Sequence, residues 1–214
     1  MRARVKYCKG EEVKYVGHLD TMRTFTRCIK RTAIPVKYSG GFNPRVQISF
    51  ALPLGVGLTS ESEYFDLELI SKMNEMVFLG ELNSVLPQGF KAIQVEFLAE
   101  EDKKSLMSLV KEAVYEISID TDFTVPMIEE FLAKEEIMIA KESNGKHKIS
   151  EINLKDYIID YDVKSDRDEK QIITVHATAG SVNNMNPNFV IQAIEKYLGK
   201  VNDFDIERKE LILG

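Results

Sequence analysis

Cysteine is scarce in this chain: Cys8 and Cys28 are the only two among 214 residues. They stand twenty positions apart, outside any C-x-x-C grouping, so neither a disulfide framework nor an iron–sulfur cluster is expected. Histidine is equally thin. His18, His147 and His176 are scattered without zinc-ligand spacing, and no metal or cofactor is expected. No apolar run approaches the roughly 20 residues needed to cross a bilayer. The start MRARVKYCKG lacks a signal-peptide core, so a cytoplasmic protein without membrane attachment is expected. Ser39, Ser60 and Ser62 lack the G-x-S-x-G setting of a nucleophile and read as turn residues. No glycine loop is followed by the Lys-Ser/Thr pair of a P-loop.

Apolar residues make up 44% of the chain, enough for one large or two small cores. The net charge of −6 hides an asymmetry. Residues 1–50 hold eleven Lys and Arg against three Asp and Glu, leaving 17 against 31 in the rest. A basic end on an acidic body either orients the protein towards a polyanion or is neutralised across a domain interface.

The stretch Tyr15 to Gly57 is the most informative. Met22, Phe25, Ile29 and Ala33, bordered by Leu19 and Thr26, fall on one arc of a helix running from about Leu19 to Ala33. Arg23, Arg27, Lys30 and Arg31 gather on a second arc, giving one exposed cationic face. Asp20 suits an N-cap or first-turn position, and Pro35 is expected to end the helix. In the break SGGFNP that follows, Gly40 and Gly41 supply positive φ and Pro44 restricts Asn43, so the chain turns sharply.

Arg2 to Tyr7 alternates, with Ala3, Val5 and Tyr7 inward and Arg2, Arg4 and Lys6 outward. Val46 to Leu52 and Tyr64 to Leu69 alternate likewise; a helix from Met73 to Leu86 and a strand FKAIQVEFL follow. Strand, helix, strand, strand, helix, strand is the ferredoxin-like βαββαβ plan. The expected architecture is α+β: two tandem ferredoxin-like domains, a basic one at 1–98 and a degenerate acidic one at 113–214. A charge-rich connector at 99–112 joins them. In the second copy a turn is expected at Ser143-Asn144-Gly145, extra material near 154–170, and DYIIDYDVKSDRDE as short helix or loop. In the first copy the helix-free face of the sheet carries Arg2, Arg4 and Lys6. It is either an RNA platform or, if Tyr64, Asp66 and Glu68 share it, a lattice of ion pairs.

The run GHLDTMRTFTRCIKRTAIPVKYSGGFNPRVQISFALPLGVGLTSESEYFDLEL closely resembles the core of the radical-SAM-linked proteins, domain family of unknown function 2344. In that family the domain is fused to, or encoded beside, a radical-SAM protein. The resemblance therefore implies a separately encoded partner that carries the iron–sulfur cluster, and its frequent company with RNA-handling genes points to tRNA or rRNA. Members usually show GFNPHP; this chain has Gly41-Phe42-Asn43-Pro44-Arg45-Val46, which removes a histidine and adds a cation. A looser likeness, carried by GGFNP and PLGVG, is to the paired ferredoxin-like RNA-processing proteins of CRISPR systems.

Three readings follow. In the first, the chain binds RNA or presents substrate without catalysing: Arg23, Arg27, Lys30, Arg31 and Arg45 meet phosphates, and Gly40, Gly41 and Asn43 offer backbone N–H groups. Phe42 either stacks on a base or plugs a gap between domains. In the second, the chain is an RNA-processing or RNA-modifying enzyme in which His18 and Asp20 transfer protons and Arg23 steadies negative charge. In the third it is a protein–protein adaptor whose basic face meets an acidic partner.

Overall fold

The computed structural model describes residues 1–99, 104–142, 149–167, 170–180 and 183–214. The turn expected at Ser143-Asn144-Gly145 and part of the connector lie outside the described residues. The chain is a mixture of strands and helices. In order they are β1 (Arg2–Lys9), α1 (His18–Ile29), β2 (Ile48–Phe50), β3 (Thr59–Glu68), α2 (Glu75–Asn83), β4 (Phe90–Leu98) and the single turn α3 (Leu106–Leu109). Then come β5 (Val110–Asp120), α4 (Val125–Leu132), β6 (Met138–Glu142), β7 (Ile149–Asn153), β8 (Ile158–Ser165), β9 (Gln171–Thr178), α5 (Asn188–Tyr197) and β10 (Asp203–Leu213). Two compact units result: Met1–Lys111 with Arg208–Gly214, and Glu112–Glu207. The final seven residues thus belong to the first unit, where the sequence reading had put them in the second.

In the first unit the strand order is β4, β1, β3, with β2 also on β3, and the β1–β3, β1–β4 and β2–β3 pairs are antiparallel. Alternation along β1 sends Ala3, Val5 and Tyr7 into a core with Phe25, Phe65, Leu67, Phe78 and Leu82. Its other face is the ion-pair lattice. Arg4 stands opposite Asp66 and binds it through two bonds, Nε–Oδ1 at 2.9 Å and Nη2–Oδ2 at 3.0 Å. Arg2 reaches the same carboxylate at 3.4 Å, and Lys6 lies 5.7 Å from the ring of Tyr64. Bidentate guanidinium–carboxylate bonding is strong and geometrically fixed, so Asp66 already occupies Arg2 and Arg4, two of the three cations expected to form an RNA platform on this face.

Ser60 and Ser62, read from sequence as turn residues, are buried inside β3. Their hydroxyls join the C-terminal strand: Ser60 Oγ donates to the Arg208 carbonyl at 3.1 Å, and Leu211 N–H donates to Ser62 Oγ at 3.3 Å. Arg208 Nη1 donates to both oxygens of Glu63, at 2.8 and 3.1 Å, with both side chains buried.

In the second unit β5 pairs antiparallel with β9, and β9 with β8, while β6 and β7 form a separate two-stranded antiparallel sheet. The segment DYIIDYDVKS, expected as helix or loop, is largely the strand β8.

Candidate functional site

Helix α1 is seated by an aromatic cluster. The ring of Phe25 lies 4.7 Å from Tyr7, 5.2 Å from Phe65 and from Phe90, and 5.8 Å from Phe50, all within the offset or edge-on range that aromatic pairs prefer. Burying one such ring stabilises the fold by roughly 2–3 kcal/mol, so the roll of the helix is firmly set. The inward face is Thr21, Phe25, Cys28 and Ile29; Met22 is half-buried, whereas Leu19 and Ala33 are exposed. The helix begins after Gly17 and stops at Ile29, six residues before Pro35. Its end is marked by one local bond and one distant one: Thr32 Oγ1 donates to the Ile29 carbonyl at 2.8 Å, and Glu81 of α2 accepts the N–H of Ala33 at 2.8 Å.

With that roll, Arg23, Arg27 and Lys30 fall on one outward stripe, at i, i+4 and i+7. Opposite them runs the segment 45–48, where Val46 bridges Tyr38 and Gln47 N–H donates to the Lys37 carbonyl at 3.0 Å. Arg45 is held through both backbone groups: its N–H donates to Ser39 Oγ at 3.0 Å, and its carbonyl accepts from Ser39 N–H at 2.8 Å. Between helix and segment lies an open groove of about 570 Å³ lined by Arg23, Arg27, Lys30 and Arg45 over Leu19, Met22, Thr26, Val46 and Ile48. Arg23 is bonded to Asp20 at 2.9 Å, with both side chains mostly exposed. Among the described residues no carboxylate is bonded to Arg27, Lys30 or Arg45. Like charges collected without counter-ions repel one another, so an anion in the groove removes an unfavourable term.

Four of the expected cations are therefore brought together. Arg31 is exposed past the helix end and does not line the groove. Nor do Gly40, Gly41, Phe42 and Asn43, which form the tip of the turn beyond Arg45. Gly41, at φ 99°, requires glycine for that turn, while a Cβ on Gly40 would meet open space. Phe42 is fully exposed. The apolar floor was missed from sequence, because Val46 and Ile48 reach the helix only through the tertiary fold.

His18 and Asp20 do not act on each other here. The ring of His18 stands edge-on to Phe50 at 5.9 Å, and the Asp20 carboxylate turns to Arg23. Burial lowers the pKa of His18, favouring the neutral imidazole. It borders a cavity of about 10 Å³ that Tyr7, Lys9, Phe50 and Glu63 also line, room for about one water and for no substrate. Around it the buried groups are shifted: burial lowers Lys9, raises Tyr7 well above its usual range, and raises Glu63 despite the pull of Arg208.

The unfolded chain binds a proton at His18 near 6.5, more readily than the folded one. Stability linked to this group is present above that value and is lost as pH falls through the lowered folded one. In thermal melts between pH 7 and 5, His18→Asn should lose less stability on acidification than wild type. Equal slopes would show that the imidazole is not desolvated. Among the described residues no cluster of His, Cys, Asp and Glu is arranged to hold a metal.

No curated protein matches this chain in sequence. Its fold is similar to that of a chain in the crystal structure of a Cbf5-Nop10-Gar1 complex, with a TM-score of 0.51 and 10% identity. That likeness covers 96% of this chain and 47% of the other, so this chain spans about half its length, and at such identity only the fold is shared. A crystal structure of an unknown protein from Galdieria sulphuraria aligns over 97% of both chains at 14% identity, but its TM-score of 0.25 is too low to carry an argument. A family model described as "Uncharacterized protein conserved in bacteria (DUF2344)" matches residues 2–187, and the chain belongs to that family.

Proposed function

We propose that this chain is an RNA-binding or substrate-presenting partner of a separately encoded radical-SAM enzyme that modifies tRNA or rRNA, built from two tandem ferredoxin-like domains. The observation that carries the RNA reading is the groove: four cations on two different elements face one cleft, and three of them have no carboxylate partner among the described residues. A cationic rim over an apolar floor fits a ligand that alternates phosphates with planar bases. The radical-SAM partner rests on the resemblance of the Gly17 to Leu69 stretch to radical-SAM-linked proteins, and it would supply the cluster chemistry. The order β4, β1, β3, β2 in the first unit supports the ferredoxin-like reading.

Binding is favoured over catalysis because the imidazole of His18 packs on Phe50 and the Asp20 carboxylate is bonded to Arg23. His18→Ala should therefore leave RNA affinity within about twofold. Four phosphate contacts to a single strand give a slope of log affinity against log salt of about −3, or roughly a fiftyfold loss between 50 and 200 mM. Fluorescence anisotropy with a labelled oligoribonucleotide reads this slope directly. A slope near zero would favour an adaptor that uses the same face for a protein.

A further inference from the structure

The groove accounts for phosphates but leaves one neighbouring feature unused. Tyr15, Leu19 and Val56 are 76%, 66% and 61% exposed, three large apolar side chains at the N-terminal end of α1. Their segments touch: Gly57 N–H donates to the Lys14 carbonyl at 3.0 Å, Val56 Cγ2 lies 3.8 Å from where a Cβ on Gly17 would stand, and Tyr15 Cε1 lies 3.9 Å from the same point on Gly57. Tyr15 and Val56 therefore stand side by side, and Leu19 follows two residues beyond Gly17 on α1. Leu19 lines the cationic groove, so the groove opens within two residues of the Gly17 backbone against which Val56 lies. Lys14 Nζ sits 5.9 Å from the Tyr15 ring, adding a cation beside the aromatic face.

We infer that an unpaired nucleobase stacks on the patch of Tyr15, Leu19 and Val56 while the adjoining phosphates lie along Arg23, Arg27, Lys30 and Arg45, so that the ligand is single-stranded RNA. This rests on the RNA-binding reading and narrows it. Charge selects the occupant: an apolar side chain of a protein would fill the patch equally well, but a polyanion also satisfies the cations beside it. Duplex RNA cannot fill both places, because its bases are stacked on one another and present only edges and backbone. Stacking is tolerant of sequence, since every base has a π-face.

The test is anisotropy binding of the full chain to three labelled probes of equal length: a single-stranded oligoribonucleotide, the same backbone carrying abasic sites, and the corresponding duplex. The single strand should bind about tenfold more tightly than the abasic strand, within the roughly 5- to 150-fold range of one stacked base. Tyr15→Ala should erase that ratio without changing the salt slope, and Tyr15→Phe should keep it. Equal binding of single and abasic strands, or tighter binding of duplex, overturns the stacking site yet leaves the groove standing. Failure of the groove itself would show differently, as wild-type binding that ignores salt and is matched by the Arg27→Glu, Arg45→Glu variant.

Discussion

Glu63→Ala should destabilise the protein by about 3–5 kcal/mol, the usual consequence of removing one member of a buried ion pair. The arginine left behind, Arg208, is itself buried and loses two bonds of 2.8 and 3.1 Å. Because the partners are 145 residues apart, this pair fastens the last strand of the chain to β3. Replacing both together, Glu63→Leu with Arg208→Met, should recover most of the loss, since apolar residues need no charge compensation. Urea unfolding of the two single variants and the double gives the coupling. A loss below about 1 kcal/mol for Glu63→Ala would mean that Arg208 finds other acceptors or water.

Reversing two charges in the groove should have the largest effect on binding. Arg27→Glu with Arg45→Glu removes two cations from different elements and adds two anions, taking the four-cation groove to near neutrality. RNA affinity at 100 mM salt should fall at least about a hundredfold, on the order of 3 kcal/mol, and the salt slope should collapse towards zero. Stability should stay within about 0.5 kcal/mol, because both side chains are exposed. Arg2→Glu offers the contrast: that residue lies on the other face of the sheet, bonded to Asp66, and its loss should leave RNA affinity nearly unchanged.

The fold was legible where burial follows a period. β1, and β9 from Ile173 onward, carry regular inward and outward positions, and α1 shows its cationic and apolar arcs plainly. β8 escaped because its only buried residue is Val163, which leaves no alternation to read. The end of α1 was misplaced because Glu81, 48 residues on, caps the chain there, and no local signal announces a distant carboxylate. Charge pairing was the harder problem: composition showed the basic start of the chain, but only the register of β1 on β3 reveals that Asp66 takes Arg2 and Arg4 out of use. Of the candidate site, the helix cations and Arg45 could be named from sequence. Their convergence could not, since it depends on the bridge from Tyr38 to Val46 that aims the segment 45–48 across α1.

Photo-crosslinking separates the two faces of the first unit most directly. A single-stranded oligoribonucleotide containing 4-thiouridine, bound to the full chain and irradiated, should attach to peptides spanning residues 15–30 and 42–48, and the yield should fall with rising salt. Attachment chiefly to β4 or to the Lys6 face of β1, with residues 15–30 and 42–48 unmodified, would contradict the groove as the RNA site.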